Sequence, residues 1–119
     1  MAILLDEDYA QACTTVLEAN HRLLMSAATA AEACIVADRR NLGAQMRRLI
    51  GGLGIEVIDV TPTVARQVAD AYGLWGKGVH PAALNFGDCF AYALASEREC
   101  PLLFVGNDFA QTDIASALA

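Results

Sequence analysis

The sequence predicts an α/β fold whose central sheet is parallel. Segments with strand character alternate with segments of helical periodicity along the 119 residues. Residues 102–105 (LLFV) are entirely apolar, which is typical of a strand buried on both faces inside a parallel sheet. Hydrophobic residues make up 55% of the chain and charged residues 18%, enough for one buried core. We therefore expect an α/β sandwich with right-handed crossovers, in which ligands bind at the carboxyl ends of the strands.

Helices are predicted where apolar residues recur at helical spacing behind a capping residue. Ser26 is placed to cap one helix, Thr61 with Pro62 begins another, and Asn85 caps the last. Helices are expected over residues 6–19, 27–40, 44–50, 62–73 and from 86 onward, with Phe86, Phe90 and Leu94 as the apolar stripe of the last one; strands are expected over 22–25, 55–60 and 102–105. Residues 73–81 form the main loop, and Trp75 should anchor it on the core or on a partner.

Length and composition favour a single domain covering residues 1–119. Uncharged runs such as residues 23–31 are far shorter than the roughly 20 residues of a membrane span, so a cytoplasmic protein is expected. The formal charge of −6 disfavours broad electrostatic attraction to nucleic acid and suits a basic partner. Two arginine pairs, at 39–40 and 47–48, are either a solvated face or phosphate contacts.

The cysteines and histidines do not form a recognisable metal-binding pattern. No CxxC pair occurs among the four cysteines, which are expected to act mainly as small core residues. His21 and His80 are isolated from one another and are expected to be turn residues.

Three carboxylates stand in apolar surroundings, and they are the candidate functional residues. Glu32 is the only charged residue between Arg22 and Asp38, and a lone buried carboxylate would cost several kcal/mol unless neutralised. Asp88 begins an apolar helix, and Asp108 follows an apolar strand. If the three converge at one end of the sheet, they form an all-oxygen site that suits Mg²⁺ or Mn²⁺. Such a site would serve metal-assisted hydrolysis of a phosphodiester.

Each acid also has a simpler interpretation. Asp88 could be a first-turn acid that complements the helix dipole, and each of the three could pair with an arginine.

Two segments, residues 85–95 (NFGDCFAYALA) and 101–114 (PLLFVGNDFAQTDI), closely resemble the PIN-domain ribonucleases, specifically the VapC toxins of toxin–antitoxin pairs. The resemblance extends to residues 24–32 and 72–81. It implies a three-layer PIN-like sandwich in which Glu32, Asp88 and Asp108 are metal-binding acids and Asp113 is a possible accessory. Relatives often carry a second acid at the position of Asn107, so which of the two neighbours, Asn107 or Asp108, faces the metal stays open.

The same resemblance implies that a strand is missing at the amino end. Family members begin with a hydrophobic strand that ends in an aspartate and a hydroxyl residue, and by this resemblance the chain is expected to start after it. Met1 is then an internal methionine of a longer product, the chain is an inactive remnant, or another segment fills the gap.

The expected function is that of an Mg²⁺- or Mn²⁺-dependent endoribonuclease that hydrolyses RNA with an activated water. By resemblance, such a toxin forms a homodimer and is silenced by an antitoxin whose tail covers the acidic cleft. The alternatives are a non-catalytic module that binds an antitoxin or itself, and a metal-dependent phosphatase.

Overall fold

The computed structural model describes residues 10–104 and 107–118. It contains two compact units, residues 1–58 and residues 59–119, which are described separately. The elements in chain order are helix α1 (Ala10–Ala19), strand β1 (Leu24–Ser26), helices α2 (Ala27–Arg39) and α3 (Gly43–Gly52), strand β2 (Glu56–Ile58), helices α4 (Pro62–Trp75) and α5 (Phe86–Arg98), and a short 3-10 helix (Phe109–Gln111). The α/β class is confirmed, and its sheet is parallel.

The first unit is built on two parallel strands. Leu24 lies opposite Glu56 and Ser26 opposite Ile58, with α2 and α3 forming the connection between the strands. Beside the sheet, Arg22 and Glu56 form an exposed ion pair at 2.9 Å. Both strands are three residues long and therefore shorter than predicted, because only this part of each segment finds a hydrogen-bonding partner.

The predicted helix starts are confirmed at Ser26 and Thr61. The Ser26 hydroxyl accepts a hydrogen bond from the Ala28 amide at 3.3 Å, and the Thr61 hydroxyl accepts one from the Val64 amide at 3.2 Å. The helix predicted over residues 6–19 is seen as α1, and its predicted beginning at residues 6–9 lies outside the described residues.

Helix α3 is longer than predicted. It continues through Gly51 to Gly52, and the chain turns only at Gly54, whose φ of +65° is the left-handed conformation that favours glycine after a helix. The amide of Gly54 then bonds the carbonyl of Gly51 at 3.1 Å. The glycine pair was predicted to end the helix, but helical bonds continue through it to the residue that can adopt a positive φ.

Helix α4 also exceeds its prediction, since it passes Gly73 and ends at Trp75. The loop that follows returns to the helix end, where Gly76 and Leu84 form a parallel bridge. The prediction that Trp75 anchors this loop on the core is confirmed: its ring contacts the His80 ring edge-on at 4.7 Å, and its indole N–H donates to the buried Tyr92. His80 is a turn residue as predicted, since its Nδ1 accepts from the Ala82 amide at 3.0 Å.

Helices α4 and α5 pack together and form the core of the second unit. The buried residues of this pair are Val68, Ala71, Cys89, Phe90, Tyr92, Ala93 and Ala95. The apolar stripe predicted for α5 is wrong at its first member, because the Phe86 side chain is 70% exposed. Phe86 is the first residue of the helix, and the covered face begins one turn later, at Cys89 and Phe90.

The strand predicted over residues 102–105 is not a strand in its described part. Leu102 makes one parallel bridge to Ser116, with its amide bonded to the Ala115 carbonyl at 2.8 Å. Val105 lies outside the described residues. The apolar pattern was interpreted as a fully buried strand, but residues 102–104 are only half-buried and pair with a very short segment.

The four cysteines are free, with Cys13 and Cys89 buried, Cys34 half-buried and Cys100 exposed. In the part of the chain that the structure describes, no helix has the length and apolar character needed to cross a membrane.

Candidate functional site

Asp88 is held at the beginning of α5 by a reciprocal capping interaction. The Asn85 side chain accepts a hydrogen bond from the Asp88 amide at 2.8 Å, and Asp88 Oδ2 accepts one from the Asn85 amide at 3.0 Å. This capping box satisfies two amides that the start of a helix leaves without partners. The interpretation of Asp88 as a first-turn acid is therefore correct for one of its oxygens. Among the described residues, Oδ1 has no hydrogen-bond partner.

The surroundings of Asp88 oppose its ionisation. The residue is half-buried, and burial is the main cause that raises the pKa of its carboxyl group above 3.8. The hydrogen bond from the Asn85 amide acts in the opposite direction, while the negative charge of Asp108 raises the pKa further. Asp88 and Asp108 are thus close enough for their charges to interact, and a cation between them would relieve the repulsion.

Asp108 lies on the surface just before the 3-10 helix. Its side chain makes no capping bond to that helix and is exposed, so it is available to an external group. Its neighbour Asn107 is also exposed. The charge that acts on Asp88 comes from Asp108. Which of the two neighbours, Asn107 or Asp108, faces a metal stays a prediction.

Asp113, the predicted accessory acid, is bound by a tyrosine that sequence analysis did not select. The hydroxyl of Tyr92 donates to Asp113 Oδ1 at 2.6 Å, and the Tyr92 hydroxyl oxygen accepts from Trp75 Nε1 at 3.0 Å. Burial and the hydrogen bond with Asp113 raise the pKa of the Tyr92 phenol above 10.0. The only signal in the sequence was a tyrosine within an apolar helix, which is also compatible with simple packing.

The exposure of Glu32 differs from what the sequence predicted. The residue was expected to carry a desolvation cost on an apolar helix face, and this expectation is wrong because Glu32 is exposed. Ile35, one turn further along α2, is also 53% exposed, so this part of the helix faces solvent. Glu32 belongs to the first unit and Asp88 and Asp108 to the second. Its role as a metal ligand stays a prediction.

The carboxylates of the second unit fit a hard divalent cation. Asp88 and Asp108 offer only oxygen donors, and Mg²⁺ is commonly bound through one or two carboxylates together with substrate phosphates and water. Within residues 10–104 and 107–118, neither unit holds a group of three His, Cys, Asp or Glu side chains that could bind a metal. Two carboxylates are within the number of protein ligands that Mg²⁺ commonly uses.

A cavity in the second unit lies at the other end of α5. It has a volume of about 300 Å³ and is lined by Ser96, Glu99, Cys100 and Asp113 among others, but not by Asp88 or Asp108. The cavity is therefore separate from Asp88 and Asp108, which lie at or near the beginning of the helix and on the segment before the 3-10 helix.

Comparison with known proteins identifies the family. The model of the PIN domain matches residues 1–115. The chain is 38% identical to VapC ribonuclease Mb0640 of Mycobacterium bovis over 119 residues, covering 98% of this chain and 91% of that protein. Ribonuclease VapC42 of Mycobacterium tuberculosis is 40% identical over 121 residues (98% and 92% coverage), and Ribonuclease VapC28 of the same species is 42% identical over 122 residues (99% and 92%). The chain therefore belongs to the PIN-domain family.

Proposed function

We propose that this protein is a metal-dependent endoribonuclease, the toxin of a toxin–antitoxin pair, which hydrolyses phosphodiester bonds in RNA. The observation that carries the proposal is the state of Asp88. One of its oxygens is fixed in a helix cap, the other has no partner among the described residues, and a second acid, Asp108, is near enough to raise its pKa. The relatives, which are named ribonucleases, support the choice of reaction.

The capping interaction orients Asp88 for this role. Because Oδ2 is bound by the Asn85 amide, the carboxylate cannot rotate freely, and Oδ1 is presented in a fixed direction. A ligand that is oriented before binding loses less conformational freedom when the metal arrives. Asn85 thus contributes to the site without being a ligand itself.

Asp88 and Asp108 are the proposed ligands in the second unit, and Asp113 is the proposed accessory acid. Glu32, in the first unit, stays a predicted metal-binding acid. A bound Mg²⁺ or Mn²⁺ would supply stabilisation of the negative charge that develops on the phosphate, and a lowered pKa for water. The protein residues hold the cation, and they keep the scissile phosphate and the attacking water in a fixed relation to one another.

The form of the site favours a polymeric substrate. Asp108 is exposed, and the described cavity of the second unit does not include the paired acids. An open acidic surface suits an extended RNA strand, which is bound along its length, better than a small phosphate ester, which needs an enclosing pocket.

The partners that we propose are an antitoxin and a second copy of the chain. The net charge of −6 favours an antitoxin with a basic segment. Such a segment would neutralise the paired acids and block access of RNA to them.

The direct test is RNA cleavage by wild-type protein and by Asp88→Asn. We expect cleavage that EDTA abolishes and that Mn²⁺ restores. Asp88→Asn should reduce the rate at least about 100-fold, since a metal site supplies several kcal/mol of transition-state stabilisation. The matched control is Asp70→Asn, which removes an exposed acid from α4 in the same unit and should leave the rate unchanged.

Undiminished metal-dependent cleavage by Asp88→Asn would remove Asp88 from the mechanism. A calorimetric titration of Mn²⁺ into the protein then distinguishes an enzyme from a non-catalytic binding module. Micromolar binding that Asp88→Asn weakens supports the enzyme, whereas no detectable binding supports the module.

A further inference from the structure

The paired acids belong to two different segments of the second unit. Asp88 is on α5, while Asp108 is on the surface segment of residues 107–113, which contains the 3-10 helix. Asp108 makes no side-chain capping bond of its own. The distance between the two carboxylates therefore depends on how the segment is attached to α5.

The attachment is a hydrogen bond between buried Tyr92 and Asp113. The Tyr92 side chain is 6% exposed, and its hydroxyl donates to Asp113 Oδ1 at 2.6 Å. In the described part of the chain, this is the only side-chain hydrogen bond that joins α5 to residues 107–113. It therefore holds the segment on the helix, in addition to the contact of the Phe109 ring with Phe104.

Trp75 fixes the direction of that bond. Its indole N–H donates to the Tyr92 oxygen at 3.0 Å, and an indole nitrogen can only donate. A phenol has a single proton, so the proton of Tyr92 is left for Asp113. Trp75 is therefore the donor to Tyr92, and Tyr92 is the donor to Asp113.

The segment between Asp108 and Asp113 is stiff enough to transmit this constraint. The Thr112 amide bonds the Phe109 carbonyl at 3.0 Å, and the Thr112 hydroxyl donates to the same carbonyl at 2.7 Å. The Gln111 amide bonds the Asp108 carbonyl at 3.3 Å. Fixing Asp113 at one end of this short turn thereby restricts Asp108 at the other.

We propose that Tyr92 is a positioning residue, which holds residues 107–113 on α5 through Asp113 and so sets how far the Asp108 carboxylate lies from that of Asp88. Tyr92 lies one helical turn after Asp88, so the residue that binds Asp113 and the acid on which the charge of Asp108 acts belong to the same helix. Removal of a group that hydrogen-bonds to a metal ligand and orients it typically lowers the metal affinity. The expected effect on metal binding rests on the proposed function. The attachment of residues 107–113 to α5 by the Tyr92–Asp113 hydrogen bond, called the tether below, does not depend on that function.

The first experiment measures Mn²⁺ binding to the full chain without RNA. Tyr92→Phe removes only the hydroxyl and keeps the buried ring. We expect it to weaken Mn²⁺ binding about tenfold, the lower end of the range for groups that hydrogen-bond to metal ligands and orient them. The matched control is Tyr72→Phe, which removes a phenol hydroxyl bonded to the Lys77 carbonyl in the loop after α4 and should not change Mn²⁺ affinity.

The second experiment needs no metal. Backbone ¹⁵N order parameters of residues 108–113 report how firmly the segment is held. They should fall in Tyr92→Phe and in Asp113→Ala, and they should be retained in Asp113→Asn, whose amide oxygen can still accept the bond from Tyr92. Retention in the asparagine variant would show that the hydrogen bond, not the charge of Asp113, holds the segment.

The outcomes separate the tether from the proposed function. If wild-type protein binds no Mn²⁺ but the order parameters behave as expected, the proposed function fails and the tether stands. Unchanged order parameters in Tyr92→Phe overturn the tether, whatever the metal does. A Tyr92→Phe protein that is less stable but binds Mn²⁺ with wild-type affinity has lost only a structural contact, and the positioning role is then rejected.

Discussion

Asn85 and Asp88 cap each other at the first turn of α5: each side chain accepts a hydrogen bond from the other residue's backbone amide, at 2.8 and 3.0 Å. Asp88 can therefore serve the fold through Oδ2 and a ligand through Oδ1. The two interpretations that the sequence left open for this residue were a first-turn acid and a metal ligand. They would use different oxygens and do not exclude one another.

Because the two carboxylate oxygens of Asp88 have separate roles, we predict that stability and activity respond differently to substitution of this residue. Asp88→Ala removes the acceptor of the Asn85 amide and should lower the free energy of unfolding by about 1 kcal/mol. Asp88→Asn keeps an oxygen acceptor and should be less destabilised, whereas both variants should lose RNA cleavage. Urea denaturation and a cleavage assay on the same samples test this. Equal destabilisation of the two variants would show that the Asn85 bond contributes little.

A second prediction concerns stability in alkaline solution. Because the pKa of Tyr92 is raised in the fold, the unfolded chain loses this phenolic proton at lower pH than the folded chain does. The folded state then binds more protons, so the contribution of Tyr92 is complete below pH 10.0 and is lost as the pH rises through the folded pKa.

Tyr92→Phe should accordingly lose stability less steeply than wild-type protein above pH 10.0, measured by urea denaturation at several pH values. Burial also raises the pKa of the Cys89 thiol, whose contribution has the same sign and cancels in the comparison because both proteins contain it. Identical slopes for the two proteins would contradict an environment that holds the proton on Tyr92.

A third prediction uses two glycines in different surroundings. A Cβ at Gly76 would overlap the carbonyl oxygen and the ring of Tyr72, and the carbonyl is fixed by its bond from the Gly76 amide at 2.9 Å. Gly76→Ala should therefore lower the free energy of unfolding by about 1–3 kcal/mol.

Gly51→Ala is the matched control for the same chemical change. Nothing lies within 4 Å of the added Cβ, and the residue is within α3, so the variant should gain up to about 1 kcal/mol. Thermal or urea unfolding measures both. A neutral Gly76→Ala would mean that the turn after α4 relaxes easily.

The arginines of α2 and α3 allow a fourth prediction. Arg47 binds Asp38 through both carboxylate oxygens, at 2.9 and 3.2 Å, whereas Arg48 is exposed and forms no ion pair within the described residues. If these arginines contact RNA phosphates, Arg48→Gln should weaken RNA binding and reduce its salt dependence by about one phosphate contact.

Arg47→Gln is the control for this prediction, because Asp38 already neutralises Arg47 and its removal should affect RNA binding less. Fluorescence anisotropy with labelled RNA at several salt concentrations measures both variants. Wild-type affinity and salt dependence in Arg48→Gln would identify the arginines as a solvated face, the alternative that sequence analysis retained.

The features that sequence analysis predicted correctly depend on residues close together in the chain. The caps at Ser26, Thr61 and Asn85 each involve an amide two or three residues away, so a short stretch of sequence contains all the information needed. The α/β class follows for a similar reason, since the alternation of strand and helix patterns is itself a property of successive local segments.

The features that sequence analysis missed depend on which surfaces are covered. Glu32 and Phe86 were expected on apolar faces, yet both are exposed, because the spacing of apolar residues shows that a helix has a face but not how far packing extends along it. Helices α3 and α4 end later than predicted for a related reason. Their helical hydrogen bonds continue through glycine to a later residue where the chain turns.

The sequence by itself determined the class of the fold, the starts of its helices and the acids Asp88 and Asp108 as candidates, since these follow from residue type and short spacing. Only the tertiary structure decided that Asp88 is half-buried near Asp108 and that Tyr92, Trp75 and Asp113 are joined by hydrogen bonds. The two hydrogen bonds connect residues 17 and 21 positions apart, and a contact at such separation forms only when packing brings the segments together.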